Sequence, residues 1–226
     1  MIDRYIVAMP YRIDDDLCIC DDHGIAYQRD MTITARYDRA YFDKCDGYKG
    51  QTIAQKINAG RVELVNDFVG DDRLVLDIGI GSGEFILSRM NGGLWRNTAG
   101  YDINPVAEEW LRDRGLWSDD FTQFRAFTMW DVIEHVPVPE HYFKHMRNGS
   151  FLFMCLPIFE DLSEIRKSKH YRPGEHLYYF TESGFGTWLR LYGFQKLHVS
   201  DYETRAGRES ILSFAFRRGK NARWST

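Results

Sequence analysis

The stretch Val75-Leu76-Asp77-Ile78-Gly79-Ile80-Gly81-Ser82-Gly83-Glu84-Phe85 limits what this chain can become more than any other. A short apolar run holds a carboxylate, three glycines alternate, and a helix-forming segment follows. A strand that turns sharply into a helix beside a ligand needs positive φ and no Cβ in the way, and glycine supplies both. The helix then points its first free N–H groups at the ligand. Asp102, in Tyr101-Asp102-Ile103-Asn104-Pro105, lies at the end of the next strand-like segment. An acid about 20 residues beyond a glycine loop is the usual reader of ribose hydroxyls. The layout implies a nucleotide-type cofactor site at the C-terminal edge of a parallel sheet.

The spacing narrows the ligand. Dinucleotide sites use G-x-G-x-x-G, in which the third glycine lets the helix approach the strand and the pyrophosphate sits on the helix N-terminus. Here the pattern is G-x-G-x-G, and Glu84 would set a negative charge beside a phosphate. A cationic ligand without a phosphate suits this loop better.

On these residues the chain resembles the class I S-adenosylmethionine-dependent methyltransferases, and within them the broad group that includes the ubiquinone-biosynthesis O-methyltransferases. Asp77 to Gly83 match the family's D-x-G-x-G-x-G motif, and Asp102 matches the acid ending its second strand. Asp131-Val132-Ile133-Glu134-His135-Val136 is similar to its D-V-L-E-H motif, and His176-Leu177-Tyr178-Tyr179-Phe180-Thr181 to its H-L-x-x-F-T segment. The resemblance spans residues 62–216 and implies S-adenosyl-L-methionine as cofactor. It also implies that Asp77, Gly79, Gly81 and Gly83 position the methionine part and that Asp102 binds the ribose, with Ile103 and Asp131 in the same cofactor set. Chemistry alone agrees for Asp102, because an ionised carboxylate accepts two charge-assisted hydrogen bonds from a cis-diol. The competing reading of Asp102 is a helix cap ahead of Pro105.

The order of segments implies an α/β fold: a Rossmann-like, doubly wound, mostly parallel sheet with an antiparallel C-terminal edge pair. Thr52-Ile53-Ala54-Gln55 has the form of a capping box, and Ile53, Ile57, Leu64 and Phe68 give the helix after it an apolar face. Strands are expected at 73–78, 98–102, 123–130, 150–156, 194–199 and 211–216, and helices at 84–90, 105–114, 137–147 and 183–191. Only residues 116–122 separate the second helix of that set from the next strand, so the third strand is shortened or missing. The family's adenine-contacting acid would then be Asp119 or Asp120.

Residues 1–50 read as an N-terminal extension and 51–226 as the methyltransferase domain. The extension carries a hairpin signal, Asp21-Asp22-His23-Gly24 between Leu17-Cys18-Ile19-Cys20 and Ile25-Ala26-Tyr27. Tyr37, Tyr41, Phe42 and Tyr48 follow, either as a lid over the substrate or as packing against the sheet edge. Four cysteines include Cys18-x-Cys20-x-x-His23 with Cys45, but zinc knuckles use C-x-x-C, so the set reads as reduced thiols and no metal is expected.

At 226 residues, 44% of them hydrophobic, the chain can bury a sizeable core. Its net charge of −4 offers no basic field for nucleic acid. Met1-Ile2-Asp3-Arg4-Tyr5 lacks a secretory pattern, and the apolar run at 151–159 is too short for a bilayer, so a cytoplasmic location and no membrane partner are expected.

Methyl transfer to an alcohol or amine needs an aligned nucleophile and a proton acceptor. His135, at the sheet end where the cofactor's sulfur would lie, is the first candidate base, His176 the second, and Glu134 could orient either. The basic stretch 163–174 admits a lid, an anion clamp, a nucleic-acid contact or a solvated loop. The Asn/Asp-Pro-Pro-aromatic motif of base-amino methylation and the Pro-Cys pair of cytosine C5 methylation are both absent. A small or medium organic acceptor, methylated at oxygen or nitrogen, is the leading expectation. A nucleic-acid or protein acceptor, and an inactive cofactor-binding subunit, are the alternatives; the oligomeric state is left open.

Overall fold

A computed structural model describes residues 9–47, 52–70 and 73–219, with the backbone alone for residue 95. Three short strands come first, β1 (Arg12–Asp14), β2 (Leu17–Cys20) and β3 (Ile25–Gln28), then helices α1 (Arg39–Asp46) and α2 (Thr52–Asn66). The central part alternates β4 (Val75–Ile78), α3 (Glu84–Asn91), β5 (Thr98–Tyr101), α4 (Pro105–Arg112), β6 (Ala126–Trp130), α5 (Glu140–Phe143) and β7 (Phe151–Pro157). The chain closes with β8 (Tyr178–Phe180), α6 (Glu182–Leu191), β9 (Phe194–Ser200), α7 (Tyr202–Arg205) and β10 (Ile211–Arg218).

Six strands form one sheet in the order β5-β4-β6-β7-β10-β9. The first four are parallel, and β10 runs antiparallel to both β7 and β9. This is the Rossmann-like, mostly parallel arrangement with an antiparallel edge pair. The third strand is reduced to one bridge: the Gly100 N–H donates to Leu116 O at 2.8 Å and the Ser118 N–H to Gly100 O at 3.1 Å.

A second sheet has the order β1-β2-β3-β8. The expected hairpin is its centre, with Gly24 at φ 64° donating to the Asp21 carbonyl. Its fourth strand comes from the His176–Thr181 segment, with Ile25 opposite Phe180. Thr181 then caps α6 by accepting from the Gly184 N–H at 3.0 Å.

The core follows the pleat, since alternate residues of a strand face opposite sides. On β7, Leu152, Met154 and Leu156 join Phe185 and Trp188 of α6, while Phe151, Phe153 and Cys155 join Leu64 and Val65 of α2. Burial on both faces is why this strand reads as an unbroken apolar run.

Several expected boundaries move. Thr52 lies inside α2, so it is not the cap ahead of that helix. Ile57 and Leu64 are buried as the spacing predicts, but Ile53 is 42% exposed. The strand expected from 123 starts at Ala126, because the Asp120 side chain accepts from the Thr122 N–H and the Gln123 amide and holds Phe121–Gln123 in a single turn. The helix expected to reach 147 ends at Phe143, where the buried Arg218 guanidinium takes the carbonyls of Phe143 and Met146. Among the described residues no helix is long and apolar enough to cross a membrane.

Candidate functional site

The glycine loop leaves β4 with Gly79, Gly81 and Gly83 at φ 75°, 57° and 80°. The three have different jobs. A Cβ on Gly79 would fall 2.5 Å from a Val132 methyl, and one on Gly83 would fall 2.6 Å from the Trp110 ring. A Cβ on Gly81 would meet nothing closer than Cys45 at 4.0 Å. Gly79 and Gly83 therefore serve close packing as well as the turn, and Gly81 faces open space.

That space is a cavity of about 550 Å³. Its floor carries Asp77, the three loop residues Gly79, Ile80 and Gly81, and Asp102. Tyr37 and Tyr41 from the N-terminal segment, with His135 and Tyr142, form an aromatic side. Tyr37 packs edge-on against Tyr41 at 5.0 Å between centroids and against His135 at 6.4 Å. Phe42 is buried behind them with Ile80 and Leu111, and Tyr48 lies outside the described residues.

Asp77 is buried and accepts from the Thr128 hydroxyl at 2.6 Å. Burial pushes its pKa up to about 7 against that hydrogen bond. Asp102 is pushed up to about 6, again by burial, opposed by backbone N–H groups including that of Asn104 at 2.8 Å. The cap of α4 is Asn104, whose side chain accepts from Val106 N–H at 3.0 Å, so Asp102 remains at the cavity instead of capping. Asn104 also donates to the Asp38 carbonyl at 3.1 Å, tying the start of α1 to this corner. Ile103 is 63% exposed at the same corner. Asp119 does not line this cavity; it borders an adjoining one of about 500 Å³ with Tyr101, Ile103, Phe121 and Tyr142. Asp120, on the turn ahead of β6, lines neither.

Asp131 has a left-handed backbone, φ 56°, and its carboxylate is already engaged. Arg208 binds it through both Nη atoms at 2.8 and 2.9 Å, and Arg61 approaches at 3.3 Å. The same arginines hold the fully buried Glu203, Arg61 Nε at 2.8 Å and Arg208 Nη1 at 2.6 Å. Burial alone would raise Asp131; the Arg208 and Arg61 charges overcome it and hold it down to about 2. Glu203 and Arg208 are five residues apart, but Arg61 and Asp131 come from distant parts of the chain, and no spacing rule brings the four together.

Glu134 and His135 form a single turn after β6, Ile133–His135. His135 Nδ1 lies 2.8 Å from the Glu175 carbonyl, which can only accept, so Nδ1 carries the proton and Nε2 the free lone pair. Burial lowers the His135 pKa, partly offset by Glu175. His176 is buried behind it, ring edge on ring face at 4.7 Å, and does not line the cavity. Burial first, then the charges of His135, Arg172 and His170, depress His176 to about 3. Glu134 is 1% exposed, and neither carboxylate oxygen has a hydrogen-bond partner. Burial, with Asp131 nearby, raises it well above the carboxylate range.

The basic stretch is tethered. Arg166 pairs with Asp16 at 2.6 Å, Lys167 with Glu164 at 2.8 Å, Lys169 with Glu209 at 3.0 Å and Arg172 with Glu175 at 3.1 Å. Ile165 is fully buried among residues of the second sheet. Cations neutralised in this way make a weak footprint for phosphate.

A family model described as a methyltransferase domain matches residues 51–199. None of the curated proteins matches the chain. Among solved structures, the magnesium protoporphyrin IX methyltransferase of Synechocystis PCC 6803, with bound SAH, is 15% identical at a TM-score of 0.56, over 81% of this chain and 96% of that one. A SAM-dependent methyltransferase from Archaeoglobus fulgidus is 16% identical at 0.56, over 79% and 99%. One from Methanosarcina mazei is 19% identical at 0.52, over 69% and 97%. At these identities the likeness is one of fold.

Proposed function

Because the chain belongs to the methyltransferase-domain family, we propose that it is a class I, S-adenosyl-L-methionine-dependent enzyme that methylates oxygen or nitrogen of a small or medium organic acceptor. The observation that carries this is the cavity that brings together the open Gly81, Asp77 and Asp102 on its floor and Tyr37, Tyr41 and His135 on its aromatic side. Such an enclosure of apolar walls with a few convergent polar groups suits a small molecule.

Bound there, the cofactor would supply an electrophilic methyl group and a thioether leaving group. The chain's own residues would do the rest. Ionised Asp102 accepts the ribose hydroxyls, and Ile103 offers an apolar face beside them. Asp77 and the glycine loop orient the aminoacyl end, and Tyr37 and Tyr41 exclude water. Asp131 acts through its arginine network, setting the backbone at the strand end. His135 Nε2 is the candidate acceptor for the substrate's proton, with Glu134 and His176 supporting it from behind.

In this reading residues 1–50 are a substrate lid on the transfer domain 51–226, supported by the tyrosine contacts and the Asn104–Asp38 tie. The paired cations of residues 163–174 favour a small acceptor over nucleic acid. Kinship with the ubiquinone-biosynthesis O-methyltransferase group rests on Asp131 to Val136. The test is transfer of label from methyl-labelled cofactor, offered phenols, amines, RNA and protein in parallel. Label in a phenol or amine supports the assignment; label only in RNA or protein overturns the acceptor class.

A further inference from the structure

Three side chains outside any ion pair already described converge behind the aromatic wall. One ligand atom each from Glu134, His135 and His176 lie within 4.8 Å of one another. Two of the three residues are buried, and His135 opens onto the cavity. Neither oxygen of the Glu134 carboxylate has a hydrogen-bond donor, and His135 Nε2 stands 4.0 Å from Oε1, beyond hydrogen-bond reach, although a buried carboxyl is normally hydrogen-bonded. His135 donates its other ring N–H to the Glu175 carbonyl, the outer contact that metal-bound imidazoles almost always make. His170 stacks behind His176 at 6.5 Å and is itself held by the Glu209 carbonyl at 2.9 Å, which stiffens that side.

We propose that Glu134, His135 and His176 form a binding site for a divalent first-row transition ion at the acceptor end of the cavity. Two imidazoles and one carboxylate are a donor set that zinc and its neighbours accept while keeping positions open. Bonds of about 2.1 Å would put neighbouring ligand atoms about 3.4 Å apart in a tetrahedral site, so binding would draw the three side chains together. The location as the acceptor end rests on the functional reading above. With the ion bound, His135 would serve as a ligand in place of a base, and the ion would supply Lewis acidity that makes a neighbouring acceptor hydroxyl easier to deprotonate, its proton passing to water.

The probe is cobalt(II), added to the untagged, chelator-treated full chain and followed by its visible absorption and by calorimetry. One saturable ion per chain is expected, with affinity at least tenfold weaker in Glu134→Gln and in His176→Ala and unchanged in His23→Ala. S-adenosylhomocysteine binding, measured on the same samples, reports that each variant is folded and tests the functional reading separately. Absence of saturable cobalt binding, or equal affinity in the Glu134 and His176 variants, overturns the site. Cobalt binding without S-adenosylhomocysteine binding upholds the site and overturns the reading of the cavity.

Discussion

The Asp77 carboxylate on β4 accepts a 2.6 Å hydrogen bond from the hydroxyl of Thr128, its register partner on the parallel strand β6. Both side chains are buried, so the pair replaces water for a carboxylate at the foot of the glycine loop. Thr128→Val keeps the shape and removes the donor. Leaving a buried acceptor unsatisfied costs about 1–3 kcal/mol. Denaturant unfolding at pH 7 should show a loss in that range; a variant as stable as the parent would mean that the hydroxyl does not hold Asp77.

The glycines should separate stability from binding. Each takes a left-handed backbone, which costs a residue with a Cβ about 1–3 kcal/mol. Gly83→Ala adds a clash with Trp110, whereas Gly81→Ala meets open space. Thermal unfolding should fall further for Gly83→Ala, and S-adenosylhomocysteine affinity per molecule folded should fall further for Gly81→Ala. Equal behaviour in both measurements would contradict the division of labour.

Cofactor affinity should depend on pH through Asp102. Its carboxyl is raised to about 6 in the ligand-free protein, and only the ionised form accepts two bonds from a diol. Binding therefore expels a proton below that value, so the Asp102 contribution to affinity should fall as the pH drops from 7 to 5, with Asp77, raised to about 7, titrating at the upper end of that range. Asp102→Ala should weaken binding by about 1.5–3 kcal/mol and flatten the profile. A profile of unchanged slope in the variant would assign the dependence to another group.

The Arg61–Glu203–Arg208–Asp131 network should be sensitive to loss of one member. Glu203 is fully buried between two guanidinium groups, and removing one partner of a buried pair costs about 3–5 kcal/mol. Glu203→Ala should lose that much in denaturant unfolding, with little dependence on salt. A loss below 1 kcal/mol would place the network among ordinary surface pairs.

What the sequence made legible was local. Glycine spacing, the acid after β5, the apolar run of β7 and the hairpin turn each lie within a few residues, and each survives in the structure. The missing third strand was legible too, because chain length between two elements is a local quantity; it survives as the single bridge at Gly100. Long-range pairing was not. Nothing near His176–Thr181 announces that it becomes a strand beside residues 25–27, and nothing near Arg61 or Arg208 announces Asp131. Asp119 was carried over by chain order alone, and the structure sets it beside the neighbouring cavity. Glu134 was read as an orienting group; its burial without a donor follows from tertiary packing that spacing does not encode.

If the cavity over Gly81 takes a sulfonium nucleoside, calorimetric titration of the purified chain with S-adenosylhomocysteine, with NADH as control, should show micromolar binding of S-adenosylhomocysteine and none of NADH. Binding of NADH alone, or of neither, would mean that the cavity is built for something else.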